Sequence, residues 1–305
     1  MTQQLDLAGA SDALVTSALA VLSLALVLYA TAAALARTRA ARGPRVLTPV
    51  GGVPSDADHT GRPSGTTSGR AAGTGRAALA LVVLGTALVC LAVLARGLAA
   101  GRAPWGNMYE FGLTGSAAVA VVFLLYLRGR DVDGLAAWLV ALVLVLLGVS
   151  VTSLYTPVDD LVPVLNSRWL VVHVAAAIIS GALFTVGALA TAAHLVRRRR
   201  GAGDDDPFTD LAHTVHLVAF PIWTFAVIAG AVWAENAWGR YWGWDPKETW
   251  AFITWVLYAA HLHALSTVGW RRGASLLAVA GFLAFLFNFF GVNLWISGLH
   301  SYAGV

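Results

Sequence analysis

Eight stretches of this chain carry no Asp, Glu, Lys or Arg, and each comes close to or exceeds the length needed to cross a bilayer. They are Ala13–Ala36, Ala77–Ala95, Phe111–Leu127, Gly134–Val158, Trp169–Val196, Leu211–Ala234, Thr249–Gly269 and Gly273–Leu299. A helix needs roughly 20 apolar residues to span the hydrocarbon core. Lipid offers no partner to a free N–H or C=O, so a spanning segment must satisfy its backbone internally. The expectation is an all-α, polytopic integral membrane protein with about eight transmembrane helices. Only 12% of the residues are charged, against roughly a quarter in a soluble domain. The first stretch does not read as a signal peptide: it is too long, its leading flank is acidic, and no small-residue cleavage site precedes the Arg cluster.

Charge sets the orientation. With Arg37–Arg76 on the cytoplasmic side, eight alternating spans put 15 of the 20 Lys and Arg residues on that side. The opposite side holds Arg96, Arg102, Arg168, Arg240 and Lys247. This asymmetry follows the positive-inside rule and predicts that both termini and the loop before Pro246 face outward, in a cell membrane. It also accounts for the net charge of +4, so nucleic acid is not implied. Cys90 is the single cysteine, which leaves no disulfide framework, no CxxC redox pair and no CxxCH motif.

The segment Gly43–Gly75, rich in Gly, Pro, Ser, Thr and Arg, is expected to be a flexible cytoplasmic linker. Residues 1–76 then form one span plus linker, and 77–305 the main membrane domain. "RAPWGNMYEFG" (Arg102–Gly112) reads as an interfacial half-helix. "TPVDDLVPVLNSRW" (Thr156–Trp169) reads as a loop whose Ser167 caps the next helix.

Six of the 12 tryptophans (Trp233, Trp238, Trp242, Trp244, Trp250 and Trp255) fall within 23 positions. An interfacial aromatic belt accounts for Trp233, Trp250 and Trp255, which lie in or at the ends of spans. It accounts poorly for Trp238, Trp242 and Trp244, which alternate with Gly239 and Gly243 and so let backbone approach a bulky partner. Asp245-Pro246-Lys247-Glu248 has capping-box spacing, so Asp245 reads as a helix cap before it reads as an acid. Arg240 and Lys247 are two of the five outward cations and lie among the rings. A flat apolar ligand with carboxylates at one edge would use both features. Of eight histidines, His173 and His300 fall at the level of the tryptophans, while His194, His213, His216, His261 and His263 fall toward the other ends of their spans and His59 lies in the linker. Two imidazoles at one depth beside an aromatic platform suit axial ligation of haem.

"WGRYWGWDPKETWAFITW" (Trp238–Trp255) resembles the WWD motif of membrane haem-handling proteins. The order "WLVVHV" (Trp169–Val174), the WWD segment 235–255, then "GVNLWISGLHSYA" (Gly291–Ala303) is similar to the CcsA/ResC family of system II cytochrome c maturation, labelled CcsB in some lineages. "WGNMYEFG" also resembles that family's outer segment. The resemblance implies that His173 and His300 ligate iron and that Trp238, Gly239, Trp242, Gly243, Trp244 and Asp245 form the haem platform. Arg240 or Lys247 would meet a propionate, and His263 would serve an inner haem-entry site. His261 stands where the family usually has an aromatic residue, and the family's Arg soon after the inner His is replaced by Ala264 and Leu265.

It further implies passage of haem b to the outer face and its attachment to apocytochrome c at CxxCH, with no acid/base residue of the chain's own. A ResB/CcsB-type membrane partner and a thioredoxin-like thiol reductant would take part. Two other readings compete: a CcmC-type protein that delivers haem without forming thioethers, and a small-molecule transporter with no cofactor. The eight spans, the additional N-terminal region and the spacing to His300 argue against the first. A haem absorption band would exclude the second.

Overall fold

The computed structural model describes residues 2–41, 66–127, 133–201 and 206–300. Within them the chain forms α1 (Thr2–Ala41), α2 (Thr66–Ala100), α3 (Met108–Leu127), α4 (Asp133–Ser153), α5 (Arg168–Arg199), α6 (Pro207–Trp238), α7 (Pro246–His263), α8 (Arg271–Leu286) and the short α9 (Val292–Trp295). Five-residue π-helical turns, Ala264–Val268 and Phe287–Gly291, follow α7 and α8. No strand occurs among the described residues. Among the described residues, seven helices are long and apolar enough to cross a membrane. The eighth long helix, α7, has 18 residues, and its Lys247, Glu248, His261 and His263 lower its hydropathy. The protein is all-α and spans the membrane many times.

The α1–α2 hairpin shows why these sequences pair. Val15, Ala18, Leu22 and Ala25 are buried on α1, and Val82, Val89 and Ala92 on α2. Steps of three, four and seven place each set along one stripe of its helix. Small residues let the backbones approach, which is how helices associate in lipid. Across the seam Ser11 Oγ donates to the Ala92 carbonyl at 2.9 Å. Helix α2 also packs on α3, α1 on α4, and α5 on α6.

The N-terminal part of α1 lies at the same end of the bundle as the tryptophan-rich loop. Tyr109, at the start of α3, and Tyr155, just after α4, both donate to the Asp12 carboxylate, at 3.3 and 2.9 Å. We call this the tryptophan end. The N-termini of α3, α5 and α7 and the C-termini of α6 and α9 all reach it.

Several expectations shift. The linker is shorter than Gly43–Gly75, because Thr66–Gly75 already belong to α2. Ala71 and Ala72 are strong helix formers, and the helix extends back through glycines that each cost about 1 kcal/mol. Residues 42–65, with His59, lie outside the described residues, as do 301–305. Helix α4 ends at Ser153, short of Val158. Ser167 occupies the N-cap of α5 but makes no side-chain capping bond.

Residues 101–107 form bends and turns where a half-helix was expected. The Glu110 carboxylate, which is buried, accounts for this. It accepts from Arg96 Nε at 3.2 Å, from Arg102 Nη1 at 2.6 Å and from the Gly106 N–H at 2.9 Å. Arg102 also donates to the Asp159 carbonyl, and Arg96 to that of Thr156. One carboxylate therefore fastens the α2–α3 loop to the α4–α5 loop.

Candidate functional site

The tryptophan-rich loop is held by its own charges. Gly239 closes α6 in the left-handed conformation, φ 71°, with its N–H bonded to the Glu235 carbonyl, a helix stop that favours glycine. Asp245 and Glu248 then form a reciprocal capping box at the start of α7. Glu248 Oε2 also accepts from the Gly243 N–H at 2.8 Å and the Asp245 N–H at 3.1 Å. Between these anchors Trp244 has φ 57°, unusual for a bulky residue.

A cleft opens at the tryptophan end between α3, α5, α6, α7 and the α8–α9 segment. Counted out to its mouth it encloses about 1270 Å³. That figure takes in the open space at the mouth and so bounds the cleft from above. Its walls include Trp105, Met108, Phe111, Trp223, Trp233 and Trp242, with His173, Lys247, Asn293 and His300 among its polar residues.

The two histidines are presented in matching ways. His173 Nδ1 lies 2.7 Å from the Ala226 carbonyl. A carbonyl only accepts, so Nδ1 carries the proton and Nε2 keeps its lone pair. The ring fits over Gly230, where a Cβ would lie 2.8 Å from it. His300 Nδ1 lies 2.8 Å from Asp245 Oδ1, which by the same reasoning leaves the lone pair of its Nε2 available. Neither Nε2 has a hydrogen-bond partner among the described residues. Trp233 lies against both rings, with centroids 6.5 Å from His173 and 5.6 Å from His300. Iron-binding imidazoles share this arrangement, with one nitrogen anchored and the other free for metal.

The Asp245 carboxylate meets three donors at once. It accepts from the N–H groups of Lys247 and Leu299, at 3.1 and 2.8 Å, and from His300. Burial pushes its pKa up, but the hydrogen bonds from His300, Leu299 and Lys247 outweigh this and hold it at about 2. The group is therefore ionised at neutral pH.

The structure sorts the other residues singled out in the sequence. Trp242 and Lys247 line the cleft, and Lys247 Nζ donates to Asn293 Oδ1 at 2.6 Å. Trp238 packs edge-on against His300, centroids 4.9 Å apart, and against Trp233. Trp244 is 65% exposed and faces away toward Phe252. Arg240 is exposed, with its guanidinium folded over Gly243. The sequence reading did not single out Trp105, Met108, Asn288, Phe289 or Asn293 as cleft residues. Asn288 and Phe289 lie in the second π turn, a feature that shifts helix register and often accompanies functional sites.

At the opposite end His261 and His263 part company. His261 is buried, with Nδ1 2.7 Å from the Ala274 carbonyl and Nε2 3.0 Å from His216 Nδ1. His263 is exposed, and its hydrogen-bond partner is Thr267 in the π turn that follows, at 3.3 Å. Of the two, it is His261 that faces the protein interior. Two residues along a helix turn the side chain by about 200°, and His261 is buried on α7 along with Glu248, Thr254 and Tyr258.

A family model for Cytochrome C assembly protein matches residues 105–300. The chain belongs to this family. The match takes in the cleft's Trp105 wall, both cleft histidines and the whole tryptophan-rich loop. The chain is 35% identical over 263 residues to the cytochrome c biogenesis protein CcsA of Prochlorococcus marinus strain MIT 9312, covering 74% of this chain and 84% of that protein. It is 34% identical to CcsA of Chlamydomonas reinhardtii, covering 70% of this chain and 65% of the algal protein. To CcsA of Synechococcus elongatus it is 33% identical, covering 75% and 88%. The solved structure of the cytochrome c haem lyase CcmF superposes with a TM-score of 0.64 at 22% identity, over 93% of this chain and 49% of that one. The chain thus spans about half of CcmF, and the family's membrane fold extends to that protein.

Proposed function

We propose that the chain carries haem b across the cell membrane to the cleft at the tryptophan end and presents it there for covalent attachment to apocytochrome c, in concert with a ResB-type membrane partner. The observation that carries this reading is the pair of histidines, on α5 and beyond α9, with Nδ1 anchored and Nε2 unpartnered in one aromatic cleft. His173 and His300 would hold the iron through their Nε2 atoms. Bound there, haem supplies vinyl groups open to thiol addition. Trp242 and Trp233 exclude water and pack the macrocycle.

Lys247 Nζ sits in the cleft beside Asn293 and is the propionate partner of choice, as a point charge suited to a carboxylate. Arg240, exposed and folded away, is not. Catalysis on this account is positioning and exclusion of water. A thioredoxin-like reductant keeps the CxxCH thiols of the apocytochrome reduced.

The fifteen-to-five cation asymmetry supports an outward orientation for the cleft and both termini. His263, exposed at the other end of α7, serves haem entry in a site completed by the partner chain. A CcmC-type delivery role would use the same cleft without thioether formation.

The test separates the two cations. In the purified full chain, Lys247→Ala should weaken haem binding about tenfold, while Arg240→Ala should change it less than twofold. Equal effects would remove Lys247 from the propionate role. A chain that takes up no haem would overturn the reading.

A further inference from the structure

Most of the cleft is built from helices, but His300 is not. It lies five residues beyond α9, in a bend and turn. His173, by contrast, projects from within the 32-residue α5 and is tied to a backbone carbonyl of α6. Something must hold His300 as firmly as a helix holds its partner.

The structure points to one carboxylate. Asp245 Oδ1 receives His300 Nδ1–H at 2.8 Å, and Oδ2 receives the Leu299 N–H at 2.8 Å. Gly298 permits this approach, since a Cβ there would lie 2.7 Å from Oδ2. Asp245 is itself rigid, because it caps α7 and its own N–H is taken by Glu248. The position of His300 is thereby referred to the start of α7, the same turn that carries Lys247 into the cleft.

We propose that Asp245 is a positioning residue for His300: it fixes the imidazole in the Nδ1–H tautomer, aims Nε2 into the cleft and pins the 296–300 tail over it. This goes beyond a place for Asp245 in the haem platform, and it rests on the reading of His300 as an iron ligand. A carboxylate behind an axial histidine also makes that histidine a stronger donor to ferric iron. The two axial nitrogens are therefore unequal, with His300 backed by a full negative charge and His173 by a carbonyl dipole. The role explains why an aspartate stands here when Ser, Thr and Asn would cap the helix about as well.

Two variants of the full-length protein test this. Asp245→Ser retains a capping residue but is too short to reach His300, and Asp245→Asn retains both cap and reach but removes the charge. In the haem-free protein labelled with 15N-histidine, His300 should carry its proton on Nδ1 in the wild type and on Nε2 in Asp245→Ser. In the haem-loaded protein, both variants should release ferric haem to an acceptor protein about 10- to 100-fold faster, the usual loss when a metal ligand's outer partner is removed. The reduction potential of the bound haem should rise in both, and thermal stability should stay near that of the wild type. An Nε2–H tautomer in the wild type would overturn the proposal, and so would unchanged tautomer, release rate and potential in both variants. The haem-free tautomer measurement does not depend on haem binding, so it stands even if the wild type takes up no haem, a result that would sink the functional reading instead.

Discussion

Replacing either His173 or His300 with glycine should strip the full-length protein of most of its haem, and cytochrome c assembly should fall to about a tenth or less. Each change deletes one axial nitrogen and leaves a hole of imidazole size. The two holes differ. At His173 the ring occupies a slot between Gly230 and the Ala226 carbonyl, so added imidazole finds a shaped pocket with an acceptor waiting for its N–H. At His300 the vacated space faces Asp245 and the edges of Trp233 and Trp238. Millimolar imidazole should restore haem in both variants in part. Haem content unchanged in both variants would remove these residues as ligands.

The second large effect is at the opposite end, where stability and function should separate. His261→Ala deletes the only acceptor of His216 Nδ1–H among the described residues. His216 is fully buried and its Nε2 already lacks a partner. An unpaired buried donor costs about 1–3 kcal/mol, so the variant should unfold earlier in denaturant or heat. His263→Ala removes an exposed ring bonded only to Thr267 in the π turn that follows and should leave stability unchanged while lowering haem uptake in the presence of the partner chain. A stable His261→Ala protein would mean the pair does not support the fold. Full haem loading of His263→Ala would remove the entry role.

Much of this architecture was legible in the sequence because lipid leaves so few options. Uncharged runs of bilayer length admit only helices, and those runs overlap all eight long helices. The capping box at Asp245 and the pairing of His173 with His300 in one cleft were readable from spacing. Several features were not. Periodicity could separate His261 from His263 but could not say which faced inward, because α7 is polar on more than one side. A half-helix at Arg102–Gly112 looked reasonable until Glu110, buried between two arginines, tied the loop down. Trp238, Trp242 and Trp244 look equivalent in the sequence, yet they take three environments, since the left-handed turn at Gly239 and the positive φ of Trp244 redirect the chain between them. Backbone reversals of this kind leave little trace in composition. The extra function of Asp245 was hidden because its second partners, Leu299 and His300, lie more than 50 residues away in sequence.

The measurement that bears most directly on the central claim is the absorption spectrum of the full-length protein purified from haem-replete cells. Two imidazoles on one iron make it low-spin, so the account predicts a strong Soret band and, after reduction, sharp α and β bands. Both features should be lost in His173→Gly and in His300→Gly. A purified wild-type chain with no Soret band, or one whose low-spin spectrum survives both substitutions, would contradict it.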